Sequence, residues 1–269
     1  DAGKSNILRA LNLFFNSQTN PGEPFNFSTD YNIYAAEKDS KKAREIKIKL
    51  LLDIPSSYHT TNGNLIEWTK SWRSGGFYDE SILGIKSYSG PRGGRRTEKQ
   101  EIPARSNMRQ LLSNVKYVYI PAIKDKEYIA KLRSEIYFVV NAVFNENFSD
   151  SSKAFEKSIA ENLHELTKEI SESLGFNSKL SLPRDLSNLF GNLDFLNEMK
   201  ISINERGDGI KARHIPLILK YIAEKTKTLQ ARGNPPYTFI WGYEEPENNL
   251  ELTSSIKLAI QFKTFVPEP

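Results

Sequence analysis

The sequence predicts an α/β fold: a mixed sheet with an antiparallel β lobe and a helical insertion. Three patterns predict it. At the start, Gly3-Lys4-Ser5 leads into Ile7, Leu8, Leu11, Phe14 and Phe15, an apolar stripe at helical spacing. Further on, Ile46, Ile48, Leu50 and Leu52 alternate with Lys47 and Lys49, the period of a half-buried strand, and more strand-like runs follow around Gly75-Gly76. Near the end, the apolar run 237–243 stops at Glu244-Glu245 and gives way to another helix. An antiparallel meander this soon after a loop and helix is unlike a simple alternating βαβ domain.

Gly3, Lys4 and Ser5 form the closing half of G-x-x-x-x-G-K-[ST], whose opening glycine would lie about three residues upstream of Asp1. A glycine there lets main-chain N–H groups approach phosphate oxygens. Lys4 supplies a point charge for the β- and γ-phosphates, and the Ser5 hydroxyl a ligand for Mg²⁺. The helix that follows aims its positive end at the same anion. The same tripeptide also fits a plain glycine turn capped by Ser5. With no initiating Met and an end at 265–269 just after a helical pattern, the half-motif predicts a piece cut from a longer chain at both ends.

At 269 residues the chain can bury a sizeable core. It has no cysteine, which excludes disulfides and thiolate metal sites and fits a reducing, cytoplasmic setting. His59, His164 and His214 are far apart, so a histidine-based metal centre is not expected. No run approaches the length of a membrane span, and no membrane association is expected. The 37 basic against 33 acidic residues permit a nucleic-acid surface without demonstrating one.

In chain order, residues 16–30 read as loop, 46–52 as a strand ended by Pro55, and 64–72 and 82–88 as strands flanking Gly75-Gly76. Residues 90–99, with Arg92, Arg95 and Arg96, read either as a solvated hairpin tip or as a contact to a phosphate backbone. A strand over 115–120 stops at Pro121. Ile129, Leu132, Ile136, Val140 and Val143 then share one helical stripe, and Phe155, Ile159, Leu163, Leu166, Ile170 and Leu174 another. The two predict a packed helical hairpin over 125–175, inserted into one domain over 1–269. Residues 199–203 read as a short strand running into Gly207-Asp208-Gly209, followed by a helix that starts or kinks near Pro216. Gly-Asp-Gly at a helix start is either an anion site or a glycine turn.

The run 237–243 delivers two carboxylates to the C-terminal end of a strand, where α/β sheets place their ligands. Glu244 is the candidate partner of Mg²⁺ through water. Glu245 is the candidate catalytic base, orienting and deprotonating the attacking water.

Asp-Ala-Gly-Lys-Ser-Asn-Ile-Leu, Tyr-Ile-Pro-Ala, Gly-Asp-Gly-Ile and Gly-Tyr-Glu-Glu-Pro-Glu-Asn-Asn-Leu-Glu occur here in that order. The set resembles the ABC-type ATPase heads of the SMC/RecF-like group, nearest in pattern to AAA-labelled ATPases of the OLD (overcoming lysogenisation defect) type. The resemblance runs from Asp1 to about Phe262. It implies a P-loop NTPase head that binds ATP through Asp1, Ala2, Gly3, Lys4, Ser5 and Asn6. It assigns Mg²⁺ to Ser5 and Glu244, and catalysis to Glu245 with Lys4. Gly207, Asp208 and Gly209 would contact the γ-phosphate bound by a second protomer, and Asn248, Asn249 and Leu250 would line that interface. The implied partners are a second copy of the chain and DNA, in repair or phage defence, with a nuclease domain or partner beyond the C-terminus. A membrane-transporter ATPase subunit shares the architecture but would carry Leu-Ser-Gly-Gly-Gln where this chain has Arg-Gly-Asp-Gly-Ile. A non-enzymatic nucleotide switch would not need both Lys4 and Glu245.

Overall fold

The structure is a computed structural model. It describes residues 3–266 apart from 33, 35–42, 60–62, 90–94, 144, 176–186, 197, 203, 204, 206 and 232. The chain forms two compact units, one from Asp1–Ala122 and Ala231–Glu245, the other from Ile123–Gln230 and Pro246–Pro269. The fold is mixed α/β, with an antiparallel and a parallel sheet.

The first unit opens with helix α1 (Lys4–Asn16), followed by the single turn α2 (Phe27–Asp30) within the stretch expected as loop. Asn26 caps that turn by accepting from the Ser28 N–H. Four strands then form an antiparallel meander: β1 (Ile46–Asp53), β2 (Leu65–Arg73), β3 (Gly76–Ser89) and β4 (Arg95–Glu101). In β1 the alternation works as expected, with Ile46, Ile48, Leu50 and Leu52 turned toward the core and Lys47 and Lys49 exposed. The register sets Leu50 opposite Trp68 and Leu52 opposite Ile66.

Strand β4 corrects the sequence reading. Part of the expected loop over 90–99 is paired strand, with Tyr88 opposite Arg96 and Ile85 opposite Lys99; the tip at 90–94 lies outside the described residues. Its side chains from Arg96 to Glu101 are exposed, as suits a charged edge strand, so it carries no apolar alternation to read. Against this sheet, α1 and α3 (Asn107–Ser113) bury Leu13, Phe14, Met108, Leu111 and Leu112 with Ile66, Trp68 and Trp72. Phe14 meets Trp68 edge to face at 4.8 Å. Removing the Phe14 ring would cost about 3–5 kcal/mol. Lys70 fastens the end of α1: its ammonium donates to the Phe14 carbonyl at 3.0 Å and lies over the Phe14 and Trp68 rings.

The second sheet pairs β5 (Val115–Ile120) with β6 (Thr238–Tyr243) in parallel, from Val115 opposite Thr238 to Ile120 opposite Tyr243. Asn114 anchors the start of the pair, donating from Nδ2 to the Pro235 carbonyl and accepting from the Thr238 N–H.

The second unit is helical: α4 (Lys126–Val143), α5 (Asn145–Asn162), α6 (His164–Leu174), α7 (Ser187–Gly191), α8 (Asp208–Thr228) and α9 (Leu252–Phe265). Helix α4 buries Ile129, Leu132, Tyr137 and Val139 and packs chiefly on α7 and α8. The second arm of the expected hairpin starts earlier than its apolar stripe and breaks at Leu163 into α5 and α6. Its Phe155, Leu163, Leu166 and Ile170 are exposed rather than packed. The strand expected over 199–203 is, among the described residues, a lone bridge from Leu196 to Ser202. Lys200 stands at φ 60°, which interrupts any extended run. Helix α8 does not start at Ile215. It begins at Asp208 and runs through the proline, with Ile215, Pro216, Ile218 and Leu219 buried around the missing hydrogen bond.

Candidate functional site

Two elements converge at the C-terminal ends of β5 and β6. The Glu244 N–H donates to the Ile120 carbonyl at 2.9 Å, carrying the parallel ladder one residue past the strand and fixing the Glu244 backbone. Helix α1 packs on both strands. Asn16 Nδ2 donates to the Tyr117 carbonyl at 3.0 Å, and the Tyr117 hydroxyl donates back to the Leu8 carbonyl at 3.0 Å. These two bonds set the helix along the strand and carry its first turn to the strand ends.

There Ser5 Oγ donates to Oε1 of Glu244 across 239 positions of sequence. The Tyr119 hydroxyl donates to Oε2 of the same carboxylate at 2.6 Å. The Arg9 guanidinium lies near the Tyr119 phenol and favours its ionised form, a smaller effect than burial and the bond to Glu244. The Ser5 bond first, then the Tyr119 bond, holds the Glu244 carboxyl below its ordinary range. Burial, reinforced by the bond to Glu244, pushes the Tyr119 phenol up to about 12, so it remains a donor at neutral pH. Burial raises Tyr117 and Tyr243 in the same direction.

Gly3 caps α1 at φ 113°, a left-handed conformation that favours glycine, and no side chain caps the helix. Lys4 and Asn6 are exposed on the first turn; Asp1 and Ala2 lie outside the described residues. Glu245, beside Glu244, is exposed and stands at φ 44°, a strained backbone for a non-glycine residue of the kind that collects at functional sites.

The Gly207-Asp208-Gly209 start of α8 belongs to the second unit, as do Asn248, Asn249 and Leu250. A Cβ on Gly209 would stand 2.6 Å from the Asn249 carbonyl oxygen and 3.1 Å from Leu250 Cδ2, so only glycine lets the helix start pack against the turn after Glu245. The Asp208 side chain is exposed and pairs with Lys211 at 3.3 Å. Sequence reading linked Gly207–Gly209 and Asn248–Leu250 to one interface, and the fold sets Gly209 against Asn249 and Leu250 within the chain.

Among the described residues no group of three or more His, Cys, Asp and Glu could hold a metal ion. A Mg²⁺ ion at a nucleotide does not require such a group, because it takes one or two protein oxygens beside phosphate and water. The convergent Ser5 hydroxyl and Glu244 carboxylate have the hard-oxygen chemistry it needs. What the sequence reading missed is Tyr119 with Arg9. The available signal was Tyr117 and Tyr119 two apart on a strand, hence on one face, each needing a hydrogen-bond partner once buried.

Among the described residues no helix is long and apolar enough to cross a membrane. No protein-family model matches the chain, and no curated protein matches it.

Proposed function

We propose that this chain is the head of an ABC-type P-loop ATPase of the SMC/RecF-like group, with the OLD-type pattern, binding and hydrolysing ATP in a homodimer. One observation carries the reading: a Gly-Lys-Ser helix start and a strand-end carboxylate, far apart in sequence, meet through Ser5 and Glu244. A glycine turn capped by Ser5 explains the helix start but not its acidic partner at the ends of parallel strands.

In this reading the N–H groups of the first turn of α1 and the Lys4 ammonium bind the β- and γ-phosphates. The Ser5 hydroxyl and the Glu244 carboxylate would hold Mg²⁺, which when bound neutralises phosphate charge. Glu245 accepts a proton from water as the water oxygen bonds to the γ-phosphorus. The bond from that phosphorus to the β–γ bridging oxygen breaks, and ADP leaves with the oxygen. Gly207, Asp208 and Gly209 present a helix start to the γ-phosphate of a second copy. DNA is the proposed partner and the cytoplasm the proposed setting, both resting on the family pattern.

Lys4→Ala tests the phosphate role in the full-length protein. Loss of the charge facing the β- and γ-phosphates should weaken ATP binding by at least about tenfold, or about 1.4 kcal/mol. Unchanged ATP affinity by titration calorimetry would remove the P-loop assignment.

A further inference from the structure

We propose that Tyr119 is a positioning residue of this site, holding the Glu244 carboxylate in the orientation that lets it share a cation with Ser5. The inference rests on the reading of Ser5 and Glu244 given above.

The two oxygens of Glu244 have different partners. Oε1 accepts from Ser5 on α1, and Oε2 accepts from Tyr119 on β5 at 2.6 Å. A carboxylate held at one oxygen still swings about its side-chain torsions, whereas one held at both has its plane fixed. When Oε1 and the Ser5 hydroxyl turn to a cation, the bond from Tyr119 to Oε2 is the one that remains to orient the acid. Groups that hydrogen bond a metal's ligands in this way set their geometry and basicity.

Tyr119 is itself rigidly held. It is 5% exposed, and its strand register is fixed against β6. Arg9 lies four residues after Ser5, on the same face of α1, so one helix presents both the hydroxyl and the guanidinium to this acid. Tyr117 provides the contrast. It is also buried, but its hydroxyl donates to a main-chain carbonyl, that of Leu8. A buried tyrosine on this strand can therefore be satisfied without touching the acid.

The test is a titration of the full-length protein with a fluorescent ATP analogue, in EDTA and across a Mg²⁺ series, for the parent, Tyr119→Phe and Tyr117→Phe. Tyr119→Phe keeps the ring and removes only the donor. Metal-free binding should stay within about twofold, while the Mg²⁺ concentration for half-maximal enhancement rises about tenfold or more, the usual scale for losing such a partner. Tyr117→Phe loses a bond to α1 and none to Glu244, so it should move that midpoint less than Tyr119→Phe does; an equal shift overturns the inference. An unchanged midpoint in Tyr119→Phe overturns the inference, and so does an equal loss of metal-free binding, which would mark Tyr119 as a packing residue. A parent whose nucleotide binding ignores Mg²⁺ overturns the Ser5–Glu244 reading, and this inference with it.

Discussion

Replacing Ser5 with Ala removes the hydroxyl that donates to Glu244 and leaves the rest of the α1 start intact, alanine being the better helix former. A buried hydrogen bond to a charged group contributes about 1.5–3 kcal/mol. Ser5 and Glu244 are both only half-buried, so water replaces part of what is lost. The expected cost is therefore about 1 kcal/mol, near the upper end for exposed charged pairs. In a chain of this size that lowers Tm by about 2–4 °C. Combining Ser5→Ala with Glu244→Ala, which removes the acceptor, isolates the pair, and the coupling energy should again be about 1 kcal/mol. The pH dependence fixes the sign. Ser5 and Tyr119 hold the Glu244 carboxyl below its ordinary value of 4.5. A depressed carboxyl stabilises the fold above that ordinary value, and the contribution disappears as pH falls through the lowered one. The gap between parent and Ser5→Ala is thus full at pH 7 and closes progressively in acid below 4.5. Urea unfolding in EDTA across that range measures it. Zero coupling at pH 7, or a gap that stays constant into acid, would refute the Ser5–Glu244 bond as described.

Two further predictions concern the second unit and the arginines at 92–96. Gly209→Ala places a Cβ 2.6 Å from a backbone oxygen that must then move. It should cost about 1–3 kcal/mol by chemical denaturation. Gly207→Ala, whose Cβ meets nothing within 4 Å, should stay within about 0.5 kcal/mol of the parent; equal effects would remove the close-approach explanation. Replacing Arg92, Arg95 and Arg96 with Ala should weaken DNA binding for every sequence and flatten its log–log salt slope by about 0.9 for each phosphate left unneutralised. An identical slope leaves this stretch a solvated hairpin.

The elements legible in the sequence were those whose side chains carry the structural signal themselves. The stripe after Gly3-Lys4-Ser5 is α1, the alternation of Ile46 to Leu52 is β1, and the apolar run before Glu244-Glu245 is β6. The rest depended on partners that a linear pattern does not display. Strand β4 is charged or polar at every position because it closes an edge, and its pairing comes from β3. Residues 199–203 look like a strand by composition, but Lys200 in the left-handed region breaks the run. The break at Leu163 follows from no proline or glycine, and its stripe reads as core although the structure leaves it exposed. At the site, the residue types of Lys4, Ser5, Glu244 and Glu245 suggested their chemistry. The partner of Glu244 on its far side was legible only as a buried strand tyrosine in need of an acceptor, because nothing in the sequence says which of Tyr117 and Tyr119 reaches the acid.

Glu245→Gln in the full-length protein is the most direct test of a working ATPase. Glutamine keeps the size and hydrogen bonding of the side chain but cannot accept the proton of water, and the Ser5–Glu244 pair is left in place. MgATP should still bind, and hydrolysis should fall by about 10²-fold or more, the scale of losing a general base. With turnover blocked, the ATP-bound dimer should accumulate, read by light scattering with and without MgATP beside the ATPase assay. Hydrolysis at the parental rate would contradict the role of Glu245, and a variant that stays monomeric when saturated with MgATP would contradict the site shared between two heads.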